Sequence, residues 1–356
     1  MPLLPRLLAD IAVDGPMSVQ RYMHACLHDP RDGYYATRPG LGADFMTAPE
    51  ISQMFGELNG LWAVQSWMEL GEPAAFEWIE LGPGRGTLMA DAWRAAGLAP
   101  GFRAAARIVL VETSAPLRRM QADALAKVGA AAVWRDALSE TGDAPAIIIA
   151  NEFLDCLPIR QFVRAGSSFL ERLIGASGDR LHFGLDRTPL PTTALLAHLS
   201  DTPAGAVVEW APGLAGLIDT LRQRLCAHGG RALLIDYGPD APSHGDTLQA
   251  LAGGQKVDPL AAPGAADLTA HVDFVAVARL AHDVGLRVDG PIAQGPFLNA
   301  LGLGLRAQAL AQKHPNQRDA IGAAYNRLTA PDQMGALFKA IALSSPQLPA
   351  AAGFAP

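Results

Sequence analysis

Residues 76–91 read Phe76-Glu77-Trp78-Ile79-Glu80-Leu81-Gly82-Pro83-Gly84-Arg85-Gly86-Thr87-Leu88-Met89-Ala90-Asp91, and this stretch decides the fold. Phe76 to Leu81 has the length and apolar content of a buried strand, and helical spacing begins at Thr87 and runs to Ala96. Glycines between them permit a tight turn and let a ligand approach the backbone, because no Cβ stands in the way. A dinucleotide-binding fingerprint would put its third glycine at position 87, but Thr87 stands there and the glycine falls one residue earlier, at Gly86. That spacing favours S-adenosyl-L-methionine over NAD. Glu80, just before the turn, offers the carboxylate needed to meet the ammonium of the cofactor's methionine part. Glu80, Gly82, Gly84, Gly86 and Thr87 are therefore candidate cofactor residues. The bland alternative is an ordinary turn between strand and helix.

Outward from the turn, short apolar runs alternate with helical patterns. Strands are expected at 108–111, 132–134 and 147–150, with a helix at 116–127. Strands apolar on both faces and separated by helices imply a parallel, doubly wound α/β sheet. Ligands of such sheets bind at the carboxyl ends of the strands, so the residues there become candidates. Glu112 ends the second strand and can accept the ribose hydroxyls of an adenosine, or is a solvated strand end. Asp136, followed by Ala137, ends the third and either accepts from the adenine amino group or caps the next turn. Asn151-Glu152-Phe153-Leu154-Asp155 leaves the fourth. Asn151 is placed with the cofactor residues, and Glu152 and Asp155 could hold a cationic acceptor, or else cap a helix or pair locally with Arg160.

Helical spacing at 18–27 and 52–70 precedes the sheet, with an irregular loop at 33–49 between them. After Pro158, runs at 161–163, 168–174 and 180–183 separated by Gly and Ser turns read as an antiparallel insertion. A helix at 214–227 returns to a strand at 232–235. A long Gly, Pro and Asp-rich loop at 240–268 follows, then a helix at 274–284, a strand at 286–292 and helices at 297–312, 319–328 and 333–343. The consecutive segments are N-terminal helices and flap (1–75), cofactor half (76–158), antiparallel insertion (159–228), second half of the sheet with C-terminal helices (229–345) and a loose tail (346–356).

The 356-residue chain is 50% hydrophobic and 18% charged, which supports a sizeable core and excludes a disordered chain. A net charge of -7 argues against broad attraction to nucleic-acid phosphates. Cys26, Cys156 and Cys226 form no CxxC pair, and the nine histidines form no HExxH, so no disulfide framework and no metal is implied. No apolar run approaches the ~20 residues that span a bilayer, so no membrane insertion is expected. The N-terminus lacks an export or transit pattern, and a bacterial-type cytoplasmic location is expected.

Four stretches occur in order along nearly the whole chain: Asp44-Phe45-Met46-Thr47-Ala48-Pro49-Glu50-Ile51-Ser52-Gln53, Glu80 to Thr87, Asn151 to Asp155, and Asp267-Leu268-Thr269-Ala270-His271-Val272-Asp273-Phe274. Together they resemble the MidA family of class I methyltransferases, which includes the mitochondrial complex I assembly factor that methylates an arginine of a core subunit. The resemblance implies a Rossmann-like class I methyltransferase fold, S-adenosyl-L-methionine as cofactor, and an arginine of a protein substrate, such as a complex I subunit, as acceptor. It also implies that Phe45, Thr47, Glu50 and Ser52 form a flap over the cofactor, and that His271 and Asp273 face the acceptor. From the residues alone, Thr47-Ala48-Pro49-Glu50 is equally a helix cap with an acidic first turn, and His271 equally a surface histidine. Methyl transfer is an in-line displacement in which positioning dominates. A guanidinium stays protonated in water, so Glu152 and Asp155 would orient it, with His271 or Asp273 assisting. Two other readings stay open: a non-catalytic cofactor-binding assembly chaperone, and an NAD-dependent oxidoreductase.

Overall fold

A computed structural model describes residues 3–37, 47–190, 202–241 and 243–354. The strand before the glycine turn, β2 (Phe76–Leu81), pairs in parallel with β3 (Ala106–Val111) and β5 (Ala146–Asn151). From β3 the sheet continues in parallel to β4 (Ala132–Arg135), and from β5 to β10 (Gly230–Tyr237). Two antiparallel strands, β15 (Phe338–Ser344) and β14 (Arg287–Ala293), complete it in the order β14-β15-β10-β5-β2-β3-β4. Every residue of β2, β10 and β15 is buried, which explains why these strands read as runs rather than as alternations.

This sheet belongs to one of two compact units, formed by residues 46–154, 215–240 and 274–356. Its helices are α4 (Ala48–Ile51), α5 (Gln53–Glu69), α6 (Thr87–Ala95), α7 (Pro100–Ala105), α8 (Ala115–Ala126), α10 (Phe274–Asp283), α11 (Gln294–Ala300), α12 (Leu303–Lys313), α13 (Arg318–Thr329) and α14 (Met334–Leu337), with most of α9 (Gly213–His228). Close packing of α5 on α6 fixes the helix that starts at the turn. A Cβ on Gly56 would lie 2.6 Å from Asp91 Cβ, and one on Gly60 2.5 Å from the Ala92 carbonyl oxygen, so larger residues would force the helices apart. Phe102 packs edge-on to Trp78 at 4.9 Å and beside Phe76 at 4.9 Å, within a core that includes Trp62, Ile147 and Leu233.

The other unit comprises residues 1–45, 155–214 and 241–273. The expected antiparallel insertion is present as β6 (Arg160–Ala165), β7 (Ser168–Ser177), β8 (Arg180–Leu185) and β9 (Val207–Trp210), with β1 (Met17–Ser18) also on β7. Helices α1 (Leu3–Asp14), α2 (Val19–His28) and α3 (Tyr34–Thr37) supply Leu3, Leu7, Tyr22, Met23 and Tyr34 to a core shared with Ile159, Ile174 and Leu268. Both units are discontinuous in the chain, whereas the sequence reading divides it into consecutive segments.

Four expectations need correction. The helix expected at 333–343 is the single turn α14 followed by β15, because the apolar stretch Ala340 to Leu343 is too short for its periodicity to separate strand from helix. The long loop at 240–268 contains a three-stranded sheet, β12 (Gln255–Val257), β11 (Gln249–Ala252) and β13 (Asp267–Thr269), whose hairpin turns on Gly253-Gly254 with φ of 57° and 73°. The helix expected at 297–312 breaks at Gly302, φ 94°. The tail is not loose over 346–354: Leu348 and Ala351 are buried, and the Pro349 carbonyl accepts from the fully buried Arg231 at 2.6 Å. A guanidinium inside the protein needs such acceptors, and Ser344 Oγ and Glu69 supply the others.

Candidate functional site

Each glycine of the turn is required for a different reason. Gly82 has φ +62°, and a Cβ there would stand 2.9 Å from the Phe153 ring. Gly84 has φ +53° and nothing described within 4 Å of its Cβ position, so the turn presents an open backbone face there. Gly86, φ 81°, is the N-cap of α6 and offers no side chain to its amides. Thr87 follows, and its hydroxyl donates to Glu50 Oε1 at 2.6 Å.

Glu80 is buried, and its Oε2 has no hydrogen-bond partner among the described residues. Burial pushes its carboxyl up to about 8, against a backbone N–H bond from Met89 that pulls it down. A buried acceptor short of a donor beside an open glycine face suits a ligand that brings an ammonium. The residues present therefore fit S-adenosyl-L-methionine.

The other strand ends lie at the same edge, since Leu81 pairs with Val111 and Ala150, and Val111 with Arg135. Glu112 is half-buried and already engaged: Oε1 accepts the Ser114 N–H at 2.8 Å and Oε2 accepts from Gln121 Nε2 at 3.3 Å. Burial raises its pKa, and these donors oppose the rise. Gln121, absent from the sequence candidates, is fully buried on α8 and also donates to the Gly84 carbonyl at 2.8 Å while accepting from Trp134 Nε1 at 2.7 Å. It ties the turn to β3 and β4, and a lone helical glutamine gives no sequence signal of this. Asp136 is exposed and pairs with Arg118, and Ala137 starts a short 3-10 turn at 138–140.

Asn151 Nδ2 donates to Glu152 Oε1 at 3.2 Å, and its Oδ1 is buried without a partner among the described residues. Glu152 Oε1 also accepts the Ala48 N–H at 3.0 Å, so Glu152 caps α4 from a distance where the N-cap Thr47 makes no side-chain bond. Two contacts of α4, Glu50 to Thr87 and Ala48 to Glu152, thus reach the turn helix and the end of β5. Ser52 caps α5 by accepting from the Met54 N–H at 3.2 Å. Asp44, Phe45 and Met46 lie outside the described residues.

Asp155, His271 and Asp273 fall in the other unit. Asp155 is buried; its carbonyl accepts the Ala270 N–H at 3.0 Å. Beside it stands Tyr35, whose hydroxyl donates to Asp267 at 3.2 Å. Burial first, then Asp267, Cys156 and Asp155, push the Tyr35 phenol well above its usual range. His271 lines a cleft of about 420 Å³ together with Asp246, Thr247, Gln249, Lys256 and Pro259. Its N–H donates to Thr247 Oγ1 at 2.8 Å, and the Thr247 hydroxyl donates in turn to Glu209. Burial and the Lys256 charge hold the imidazole below its usual pKa, which keeps it neutral near pH 7. Asp273 is half-buried immediately before α10. Among the described residues no group of three or more His, Cys, Asp or Glu could hold a metal ion, and no helix is long and apolar enough to cross a membrane.

A strand, an open glycine turn and acidic residues at neighbouring strand ends define the nucleotide half of a methyltransferase, and comparison with known proteins agrees. The profile of a family of S-adenosyl-L-methionine-dependent methyltransferases matches residues 58–292, and the chain belongs to this family. The mitochondrial protein arginine methyltransferase NDUFAF7 of Mus musculus is 35% identical over 96% of this chain and 84% of its own length. Its Homo sapiens counterpart is 34% identical over 96% and 83%. A solved structure from Burkholderia thailandensis, bound to S-adenosyl-homocysteine, matches with a TM-score of 0.85 at 25% identity, covering 99% of this chain and 94% of that one. The enzyme uses S-adenosyl-L-methionine, which sets the NAD reading aside. The cytoplasmic expectation is corrected: the Mus musculus, Danio rerio and Homo sapiens relatives, at 34–35% identity over 95–96% of the chain, are mitochondrial proteins.

Proposed function

We propose that this methyltransferase modifies an arginine side chain of a protein, with a respiratory complex I subunit as the candidate substrate. The observation that supports this most is identity of 33–35% over 95–96% of the chain to proteins named as protein arginine methyltransferases. The cofactor supplies an electrophilic methyl group on a sulfonium. Glu80 would hold its ammonium, the backbone at Gly82, Gly84 and Gly86 would admit its carboxylate end, and Thr87 would fix the first turn of α6. Glu112 would meet the ribose, Asp136 and Ala137 the adenine, and Asn151 and Thr47 would complete the pocket wall. Glu152 would orient the guanidinium by accepting from its N–H groups.

The test is product analysis. Purified protein, methyl-labelled cofactor and isolated complex I subunits should yield methylarginine by mass spectrometry. Methyllysine, or cofactor binding with no methylated product, would overturn the reading while leaving the family and cofactor intact. A bidentate hold predicts that replacing the target arginine by lysine abolishes labelling, because an ammonium cannot match two parallel acceptors.

A further inference from the structure

β10 ends at Asp236-Tyr237, and Asp236 is 0% exposed. Its Oδ2 accepts the N–H groups of Phe153 at 3.0 Å and Leu154 at 2.8 Å, and its Oδ1 accepts the N–H of Tyr237 at 2.9 Å. The Glu152 N–H donates to the neighbouring Ile235 carbonyl at 2.9 Å. Three consecutive amides, 152 to 154, are thus fixed on two consecutive residues of β10.

The segment held this way is strained. Glu152 has φ +50°, a left-handed conformation that side chains longer than Asn or Asp rarely adopt. That conformation is used on both sides: the Glu152 carboxylate reaches the Ala48 N–H, and the Phe153 ring occupies the space beside Gly82. Strain of this kind persists only where the surroundings over-determine it. Here the surroundings are the Asp236 carboxylate and the Ile235 carbonyl.

We infer that Asp236 is a positioning residue for methyl transfer, acting through Glu152 by clamping residues 152–154. The inference rests on the reading of Glu152 as an acceptor-orienting carboxylate. An amide cannot replace the clamp: Asn offers one acceptor oxygen and sets an NH2 against at least one of the three N–H donors. A carboxylate that only steadied the sheet would shift melting without any dependence on Glu152.

The experiment is a double-mutant cycle on the full chain, with Asp236→Asn, Glu152→Gln and both together, read by kcat and, separately, by calorimetric cofactor affinity. Asp236→Asn should lower kcat up to ~100-fold, the cost of a small misplacement near the reacting groups. Cofactor affinity should change by less than about threefold, since Glu80 and Gly84 are untouched. The double variant should be no slower than Glu152→Gln alone. Multiplicative losses would overturn the positioning role, whereas full activity in Glu152→Gln would overturn the reading of Glu152 beneath it. If Asp236→Asn does not fold, Asp236→Glu, which keeps both acceptors but displaces them, takes its place in the cycle. In the wild-type protein the Phe153 and Leu154 amides should exchange as slowly as core amides, and exchange at open-loop rates would refute the clamp.

Discussion

Glu80 and Asp236 are buried carboxylates of one sheet, on β2 and at the end of β10, and the fold serves them oppositely. Asp236 receives three backbone N–H groups. Glu80 keeps one oxygen without a partner among the described residues, and burial raises its carboxyl to about 8. A satisfied carboxylate holds backbone in place, whereas one left short costs stability until a cation arrives. On the proposed reading, the difference separates a residue that shapes the site from one that waits for its ligand.

The largest effect should come from Asp236→Ala, which leaves three buried amides without an acceptor. At ~1 kcal/mol or more each, urea denaturation should show a loss of about 3 kcal/mol or more. A loss below about 1 kcal/mol would erase the contrast. Next, Glu80→Gln should weaken cofactor binding by roughly 2 kcal/mol, about thirtyfold, because a charged hydrogen bond becomes a neutral one. Calorimetry with S-adenosyl-L-methionine measures this, and unchanged affinity would remove Glu80 from the site.

The pH dependence sharpens the comparison further. Glu80 is raised from 4.5 to about 8 on folding, so the folded protein keeps a proton that the unfolded chain releases. The stability linked to this proton is whole below about pH 4.5 and is lost as pH rises through 8, at up to ~1.4 kcal/mol per unit. Denaturation across that range should show the decline in the wild-type protein, a shallower one in Glu80→Gln, and a shallower one again when cofactor is bound. Equal slopes in wild type and variant would mean that Glu80 is not held protonated. The smallest effect belongs to Glu112→Gln. Its oxygens already serve Ser114 and Gln121, so cofactor affinity should fall by no more than about 1 kcal/mol in the same titration.

What was legible in the sequence was local. Strand, glycine turn and helix at 76–96 are consecutive, and their residue types state their geometry directly. Strand ends such as Glu112 and Glu152 followed from the same periodicity. Asp236 and Gln121 were not legible, because their partners, Leu154 and Gly84, are distant in the chain and nothing near 236 or 121 marks a clamp. For Glu152 the sequence left helix capping as one alternative, but that the helix is α4, about a hundred residues away, depends on a contact with Ala48 that no local pattern marks. The hairpin at Gly253-Gly254 did carry a signal, two adjacent glycines between short runs, that the Gly and Pro content of its surroundings concealed. Phe338 to Ser344 was misread because every position of the strand is buried, Lys339 and Ser344 included, so no alternation of apolar and polar residues marks its two faces.

The place of β15 has a consequence for how the protein is made. It is the last strand among the described residues, yet it lies between β10 and β14 rather than at an edge of the sheet. During synthesis the outer edge of β10, an apolar strand, must therefore wait for residues 338–344. At ~5–20 residues per second the wait from the end of β10 is roughly 5 to 20 s. A nascent chain stalled in that interval carries open strand edges on β10 and β14, and another unfinished copy can pair with them. Synthesis of residues 338–344, rather than emergence of the glycine turn, is the point at which the sheet can close.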